Sequence, residues 1–335
     1  MERRKVQMTG GSTFTVSIPK DWARENGVST GDEVAFHEER DTLLLTPATA
    51  NSSSEGTLDI SGLDGEGLTR AVMTMYVSGF DLIRFEADRI GSGQRRIVRE
   101  ATQSLVGLEV LEETATEIVV QDLLDSSELS VRTAVKRMRL ITLSMLEDAV
   151  HGLIEDDDEM ATDVVNRDDD VDRLWFVVSR LFRTALRSPT AARDIGLARD
   201  TCFDYHTTAR QLERIADHAA KIGELADDLG QLPEPVTSAV SALYETALRV
   251  VETALDAMFA EDSDEATRLA NEAQDLTAEI DDLSRAADEA IRTTGVDSRQ
   301  AQQLGLVVDS LSRTSDYGGN IAETALQKAA PSPSP

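Results

Sequence analysis

Residues 212–224, LERIADHAAKIGE, align without a gap on residues 311–323, LSRTSDYGGNIAE. Leu212 matches Leu311, Arg214 matches Arg313, Asp217 matches Asp316, Ile222 matches Ile321 and Glu224 matches Glu323. A second pair precedes the first: DVDRL (170–174) corresponds to EIDDL (279–283), which sets Asp172 opposite Asp281. A duplication in the same order requires two halves of similar fold. From about residue 126 to 329 apolar residues recur at three- and four-residue steps, with breaks near 156–160, 188–190, 230–235, 262–264 and 294–297. The spacing predicts six helices in two related three-helix bundles, 126–230 and 235–329. Alanine is frequent and aromatics are only 4% of the chain, so the helices should pack closely.

The rest of the chain has other periods. In VQMTGGSTFTVSIP, Phe14, Val16 and Ile18 alternate behind a Gly10-Gly11 turn, as in a strand. Pro19 opens a helical turn, KDWAREN, that Gly27 can close. A Gly31-Asp32 turn, a strand, a charged turn at 38–41 and a last strand over 42–45 complete a domain at 1–47. Residues 48–56, ATANSSSEG, have linker composition. Residues 57–124 alternate strand and helix: strands at 57–61, 81–85, 108–112 and 117–121, helices over 68–77 and 95–105. The fold class is therefore multidomain α+β: an N-terminal β-hairpin domain, a small α/β middle domain and a C-terminal pair of three-helix bundles (126–329). PSPSP, in 330–335, reads as a disordered tail. The middle domain shows no phosphate loop, nucleophile motif or metal-ligand pair, which points to a mechanical or regulatory role.

Acids outnumber bases 62 to 33, and only five of the bases are lysines. The formal charge of −29 is that of a protein adapted to concentrated salt, where screening suppresses self-repulsion; the plainer alternative is an ordinary acidic protein. One cysteine, Cys202, excludes an intrachain disulfide and a cysteine-based zinc site, and reads as a small core residue. No run approaches the ~18 apolar residues of a membrane span, and MERRKVQMTGG lacks the apolar core of a signal peptide. A cytoplasmic protein without membrane insertion is expected. Within the first 24 residues, Arg3, Arg4, Lys5, Lys20 and Arg24 face only Glu2 and Asp21. That local +3 leaves −32 on the remainder. A positive end on so acidic a chain is either a nucleic-acid footprint or unpartnered terminal charge.

On a helical wheel His206, Glu213, Asp217 and Glu224 fall within about 40° of one another, opposite Leu212, Ile215, Ala219 and Ile222. The acids are expected to form the outward stripe of a bundle helix. Two readings stand: a solvated face, or a site for a hard cation such as Mg, Mn or Fe, since clustered carboxylates suit oxygen-preferring ions. His218 reads as a polar boundary residue. The chain has no pair of helical Glu-x-x-His motifs of the di-iron kind, which argues against redox catalysis.

The doubled three-helix pattern and the E-x-x-x-D motif at Glu213 and Asp217, followed by His218, resemble the PhoU family of phosphate-uptake regulators. Gly11-Ser12, the Val16–Ile18–Pro19–Lys20 run, Trp22 and Gly31-Asp32-Glu33-Val34 resemble the AbrB/MazE/SpoVT family of swapped-hairpin DNA-binding domains. The combination resembles archaeal regulators in which such a domain precedes a PhoU module. The first resemblance implies metal binding through Glu213 and Asp217, joined by Asp172 and Asp168 from the preceding helix. Asp316 and Asp281 would serve the second repeat, where Ser312 replaces the glutamate and weakens the site. The second resemblance implies a homodimer that buries Val16, Ile18, Val34 and Leu44, with DNA met by Arg3, Arg4, Lys5, Ser12, Thr13, Thr15, Lys20 and Arg24. Many relatives carry an arginine after the turn glycine; here Ser12 and Thr13 follow Gly11. Together they imply a dimeric regulator of phosphate homeostasis acting at promoter DNA. The alternative is an adaptor that dimerises through the hairpins and docks on phosphate ABC transporter subunits or a sensor kinase. No nucleophile or general-acid arrangement supports an enzyme.

Overall fold

The computed structural model describes residues 3–39, 42–48, 54–123 and 130–331. Most of the linker (49–53), the tip of the 38–41 turn, the segment before the first bundle helix and the tail beyond 331 lie outside the described residues. The chain divides into two units, 1–54 and 55–335.

In the first unit β1 (Gln7–Thr9) and β2 (Thr13–Thr15) pair antiparallel, with Met8 opposite Phe14. Their turn uses Gly10 and Gly11 at φ of 64° and 79°, left-handed geometry that glycine adopts without a Cβ clash. After α1 (Lys20–Glu25), β3 (Val34–Glu39) and β4 (Thr42–Pro47) form a second hairpin in register from Val34↔Pro47 to Glu39↔Thr42. Among the described residues of this unit only His37 is buried; its Nε2 lies 2.8 Å from the Thr46 hydroxyl. Phe14 is 72% exposed, and Met8, Val16, Phe36 and Leu43 are exposed as well. Two points differ from the sequence reading. The strand stops at Thr15, leaving Val16 and Ile18 beyond it, and the face of Val16, Ile18, Val34 and Leu44 is not buried within one chain. Two short hairpins contain too little apolar surface to enclose a core.

The second unit begins with β5 (Glu55–Asp59), earlier than the expected 57–61. It continues through α2 (Gly65–Val77), β6 (Leu82–Glu86), α3 (Ser92–Gln103), β7 (Leu108–Glu113) and β8 (Glu117–Asp122). The sheet order is β5-β6-β8-β7, with β5 parallel to β6 and β8 antiparallel to both of its neighbours. Strand alternation sends Ile83, Phe85, Ile118 and Val120 into a core with Leu68, Val72, Tyr76 and Val98 of the two helices. On the opposite face Arg84 bridges Glu117 at 3.0 Å and Glu55 at 4.0 Å.

The helical region comprises α4 (Val131–Glu155), α5 (Asp158–Arg187), α6 (Pro189–Ile195), α7 (Arg199–Ala226), α8 (Glu234–Phe259), α9 (Ser263–Thr293) and α10 (Ser298–Ala329). The sequence reading has six helices here. The third is divided because Ser188 caps α6 by accepting the Ala191 N–H at 3.2 Å, and Gly196 at φ 72° ends it. Aspartates set three of the other junctions. Asp156 closes α4 at φ 61°, Asp157 accepts from the Met160 N–H, and Asp262 and Asp297 cap α9 and α10. Helices α4, α5 and α7 form one bundle and α8, α9 and α10 the other; they join along α7–α10 and share one core. The approach is close where side chains vanish. A Cβ on Gly223 would meet the Ala161 carbonyl oxygen at 2.8 Å, and one on Gly318 would meet Val250 at 2.8 Å. Among the described residues no helix is long and apolar enough to cross a membrane.

Helix α5 also holds the α/β layer. Phe176 packs into that layer's core. Arg180, with a side chain 5% exposed, pairs with Asp122 at 2.6 Å and Asp81 at 3.3 Å and donates to the Tyr76 carbonyl at 2.8 Å. Its guanidinium lies 5.1 Å from the Tyr76 ring centroid. One turn on, Thr184 sits against Gly79, and Arg187 donates to the Ser78 carbonyl. Removing one partner of a buried charge pair costs about 3–5 kcal/mol, because the other charge loses its compensation. Arg180→Ala should lower stability by that amount in chemical denaturation, and adding Asp122→Ala should restore part of the loss.

Candidate functional site

The acids of the first repeat converge from α5 and α7. Asp168 and Asp172 lie one turn apart on α5, as do Glu213 and Asp217 on α7. Burial pushes the Asp168 carboxyl from its ordinary 3.8 to about 6, helped by the charges of Asp217, Asp172, Asp169 and Glu224. Burial and then Asp217 and Asp169 push Asp172 to about 6, against the opposing effect of Arg210. Glu213 rises from 4.5 to about 7, through burial first and the Asp217 charge second. Asp217 is raised as well, mainly by burial.

The expected outward acid stripe holds at Asp217 and Glu224, which are exposed, but not at Glu213, which is only 8% exposed. Helix α7 is packed by α4, α5 and α10 and so has no broad solvent face. Arg210, one turn back, pairs with one oxygen of Glu213, while Oε2 is buried without a hydrogen-bond partner. An unsatisfied buried oxygen carries a desolvation cost of roughly 1–3 kcal/mol, more when charged. The sequence reading passed over Arg210, although the i, i+3 spacing in RQLE was the available signal. The donor set is chemically that of a hard cation. Among the described residues, however, no three His, Cys, Asp or Glu side chains are arranged to hold a metal ion as they stand.

The second repeat assembles no such cluster. Asp281 is exposed on α9; Asp316 is exposed on α10 and lies 3.4 Å from Arg313. At the position of Glu213, Ser312 shares a 2.7 Å hydroxyl contact with Ser284 of α9. Asp316 and Asp281, expected as the acids of the second repeat, are both exposed. Loss of the long carboxylate lets α9 and α10 meet through small hydroxyls.

His206 stands between Trp175 and Phe182, with ring centroids 4.9 and 4.5 Å away, and burial drives its pKa down to about 4. His218 faces Tyr317, its counterpart in the second repeat, at 5.7 Å across the α7–α10 seam. Beside that pair Asn320 donates to Gln211 at 3.2 Å. Cys202 is buried, and burial pushes its thiol up to about 11. In the first unit Arg3, Arg4, Lys5, Ser12, Thr13, Thr15, Lys20 and Arg24 are all exposed. The Thr15 hydroxyl is partly engaged, 3.2 Å from the Thr9 hydroxyl, and Arg24 lies 3.9 Å from Asp21.

The PhoU domain model matches residues 135–226, and the model for "Antidote-toxin recognition MazE, bacterial antitoxin" matches residues 7–53. The chain thus carries a PhoU domain and, ahead of it, a MazE/AbrB-type domain. Phosphate-specific transport system accessory protein PhoU homologues from Xylella fastidiosa strains 9a5c and Temecula1 are each 29% identical over 199 residues. The alignments cover 58% of this chain and 81% and 80% of those proteins. The crystal structure of PhoU from Pseudomonas aeruginosa shares the fold, with a TM-score of 0.51 and 24% identity over 60% of this chain and 96% of that one. The family-model match ends with the first repeat, the half that keeps the acid cluster.

The raised carboxylates set a direction for pH. An acid whose folded pKa lies above its unfolded value favours folding at low pH and opposes it as pH rises through the folded value. For Asp172 the window runs from its ordinary 3.8 to about 6. Relative to the parent chain, Asp172→Asn in metal-free buffer should be neutral or slightly unfavourable near pH 4 and stabilising at pH 8. Thermal melts across that range read the difference.

Proposed function

We propose that this chain is a cytoplasmic, DNA-binding transcriptional regulator of phosphate uptake and phosphate homeostasis, acting as a homodimer. The observation that carries the reading is the joining of a MazE/AbrB-type domain, at the one basic end of an otherwise acidic chain, to a PhoU domain. Arg3, Arg4, Lys5, Lys20 and Arg24 supply phosphate contacts to promoter DNA, while Ser12, Thr13 and Thr15 supply hydrogen bonds. The exposed apolar residues Met8, Phe14, Val16, Phe36 and Leu43 supply the dimer interface, since a single chain leaves them in water. The PhoU domain is the sensing part, with phosphate ABC transporter subunits or a sensor protein as its partners. A hard cation (Mg, Mn or Fe) would be held by Glu213, Asp217, Asp172 and Asp168 after local side-chain rotation. The orphaned Glu213 oxygen and the mutual repulsion of the four acids support this. The ion would neutralise the charge that burial and crowding now oppose.

Crosslinking of the protein to the genome under plentiful and scarce phosphate tests the role. Enrichment at phosphate-transport promoters supports it. A flat profile with transporter subunits recovered in a pull-down favours an adaptor that uses the hairpins only to dimerise. Ser12 and Thr13, in place of a basic residue after the turn, are the feature favouring that second reading.

Lys5→Glu/Lys20→Glu should abolish promoter binding by fluorescence anisotropy while the protein still dimerises. The parent's salt slope, about −0.9 per phosphate contact, should correspond to roughly two to four contacts per dimer. In titration calorimetry with Mn, Asp217→Asn should remove most binding and Asp316→Asn little, because only the first repeat gathers its acids.

A further inference from the structure

Residues 173–199 hold six arginines and a single acid, Asp194, in a chain of formal charge −29. This stretch is the end of α5, all of α6 and the start of α7. Arg180 is consumed by the α/β layer and Arg187 bonds the Ser78 carbonyl. Arg183 is exposed on α5. Around it runs a ladder of rings on the α5–α7 face. Phe203 lies 6.0 Å from Phe182, Phe182 lies 4.5 Å from His206, and His206 lies 4.9 Å from Trp175. Two apolar side chains at its end face water: Phe203 is 50% exposed and Leu186, one turn from Phe182, is 51% exposed.

The second repeat shows that the bundle does not need this ladder. Extending the two alignments along their helices sets Ser284 at the position of Trp175, Ile291 at Phe182, Gln302 at Phe203 and Gly305 at His206. Helices α9 and α10 pack together without a single ring at these places. The rings were therefore not retained for the three-helix packing they share with the other half, whereas the position of Arg183 keeps an exposed arginine, Arg292.

We propose that the face centred on Arg183, Leu186 and Phe203 docks an acidic segment of another protein that carries at least one large apolar side chain. The exposed Arg183 selects a carboxylate from a partner, against the repulsive field of the rest of the chain. The half-exposed Leu186 and Phe203 select an apolar side chain beside those carboxylates, because aromatic and arginine side chains make the strongest anchors of protein interfaces. A nucleic-acid backbone would use the arginine but leave the apolar pair in water.

The test uses the full chain expressed in its host cells with p-benzoylphenylalanine at position 203, and a control with the same residue at the exposed position 302. After irradiation, cross-linked peptides are identified by mass spectrometry. Position 203 should yield peptides of another protein that are net negative and contain a large apolar residue; position 302 should not. Arg183→Glu should cut that yield about fivefold, Arg183→Lys should largely restore it, and circular dichroism and melting should stay unchanged. The proposal is overturned by equal adducts at both positions, by no adduct, or by adducts only with lipid, nucleic acid or a second copy of this chain. A yield indifferent to Arg183→Glu overturns it as well. Promoter binding is unaffected in any of these outcomes, so they leave the DNA-reading role to its own test.

Discussion

Helix α7 packs against three other helices, and the helical region is organised around it. It packs against α4 and α5 of its own bundle and against α10 of the other. Small residues make the closeness possible: Ala209, Ala216, Ala219 and Ala220 are buried along it, and Gly223 lets the Ala161 carbonyl approach to a distance no Cβ would allow. With three helices packed around α7, Glu213 lies inside the helix contact, while Asp217 and Glu224 stay exposed. That is why Glu213 is desolvated; Asp217, one turn on, is exposed, and its carboxyl is raised by partial burial. The acid cluster is a consequence of packing as much as of composition.

The pseudo-symmetric seam shows how a duplication diverges while keeping its frame. His218 and Tyr317 occupy matching positions and meet across α7–α10. Gln211 and Asn320 share a hydrogen bond there, so the seam is held by polar groups that recognise each other rather than by copies of one side chain. Away from the seam the halves have separated. The first gathers four carboxylates and a ladder of rings on α5 and α7. The second has a serine pair and exposed acids on α9 and α10. A shared frame with unequal faces is what a module needs if one half is to carry chemistry and the other to support it.

Arg180 connects this frame to the α/β layer. Asp168 and Asp172 lie two to three turns before it on the same helix, so the residues that crowd charge against α7 and the residue that grips β8 and α2 belong to one continuous rod. Such a rod passes on displacement at one end with little loss, because interiors packed at this density do not deform smoothly. The N-terminal unit is the opposite case. It has a single buried residue among those described, and its large apolar side chains Met8, Phe14, Val16, Phe36 and Leu43 are exposed.

Periodicity alone determined much of this protein. The repeat at 212–224 and 311–323 implied two similar helical halves, and the 3.6-residue period placed their helices, because a helix must bury a stripe wherever it packs. The alternation at Ile83/Phe85 and Ile118/Val120 placed the sheet for the same reason. The positive N-terminal end was equally legible, since charge is a sum over residues and needs no fold. Tertiary structure decided the rest. A helical wheel finds which side chains share a face but not what covers it, so Glu213 looked solvated and proved buried. The stacking of His206 between Trp175 and Phe182 joins residues about 30 apart, and the grip of Arg180 on Asp122 and Tyr76 joins residues about 60 and 100 apart. Pair contacts of that kind depend on how helices and sheets are placed in three dimensions, and no local period in the sequence encodes them.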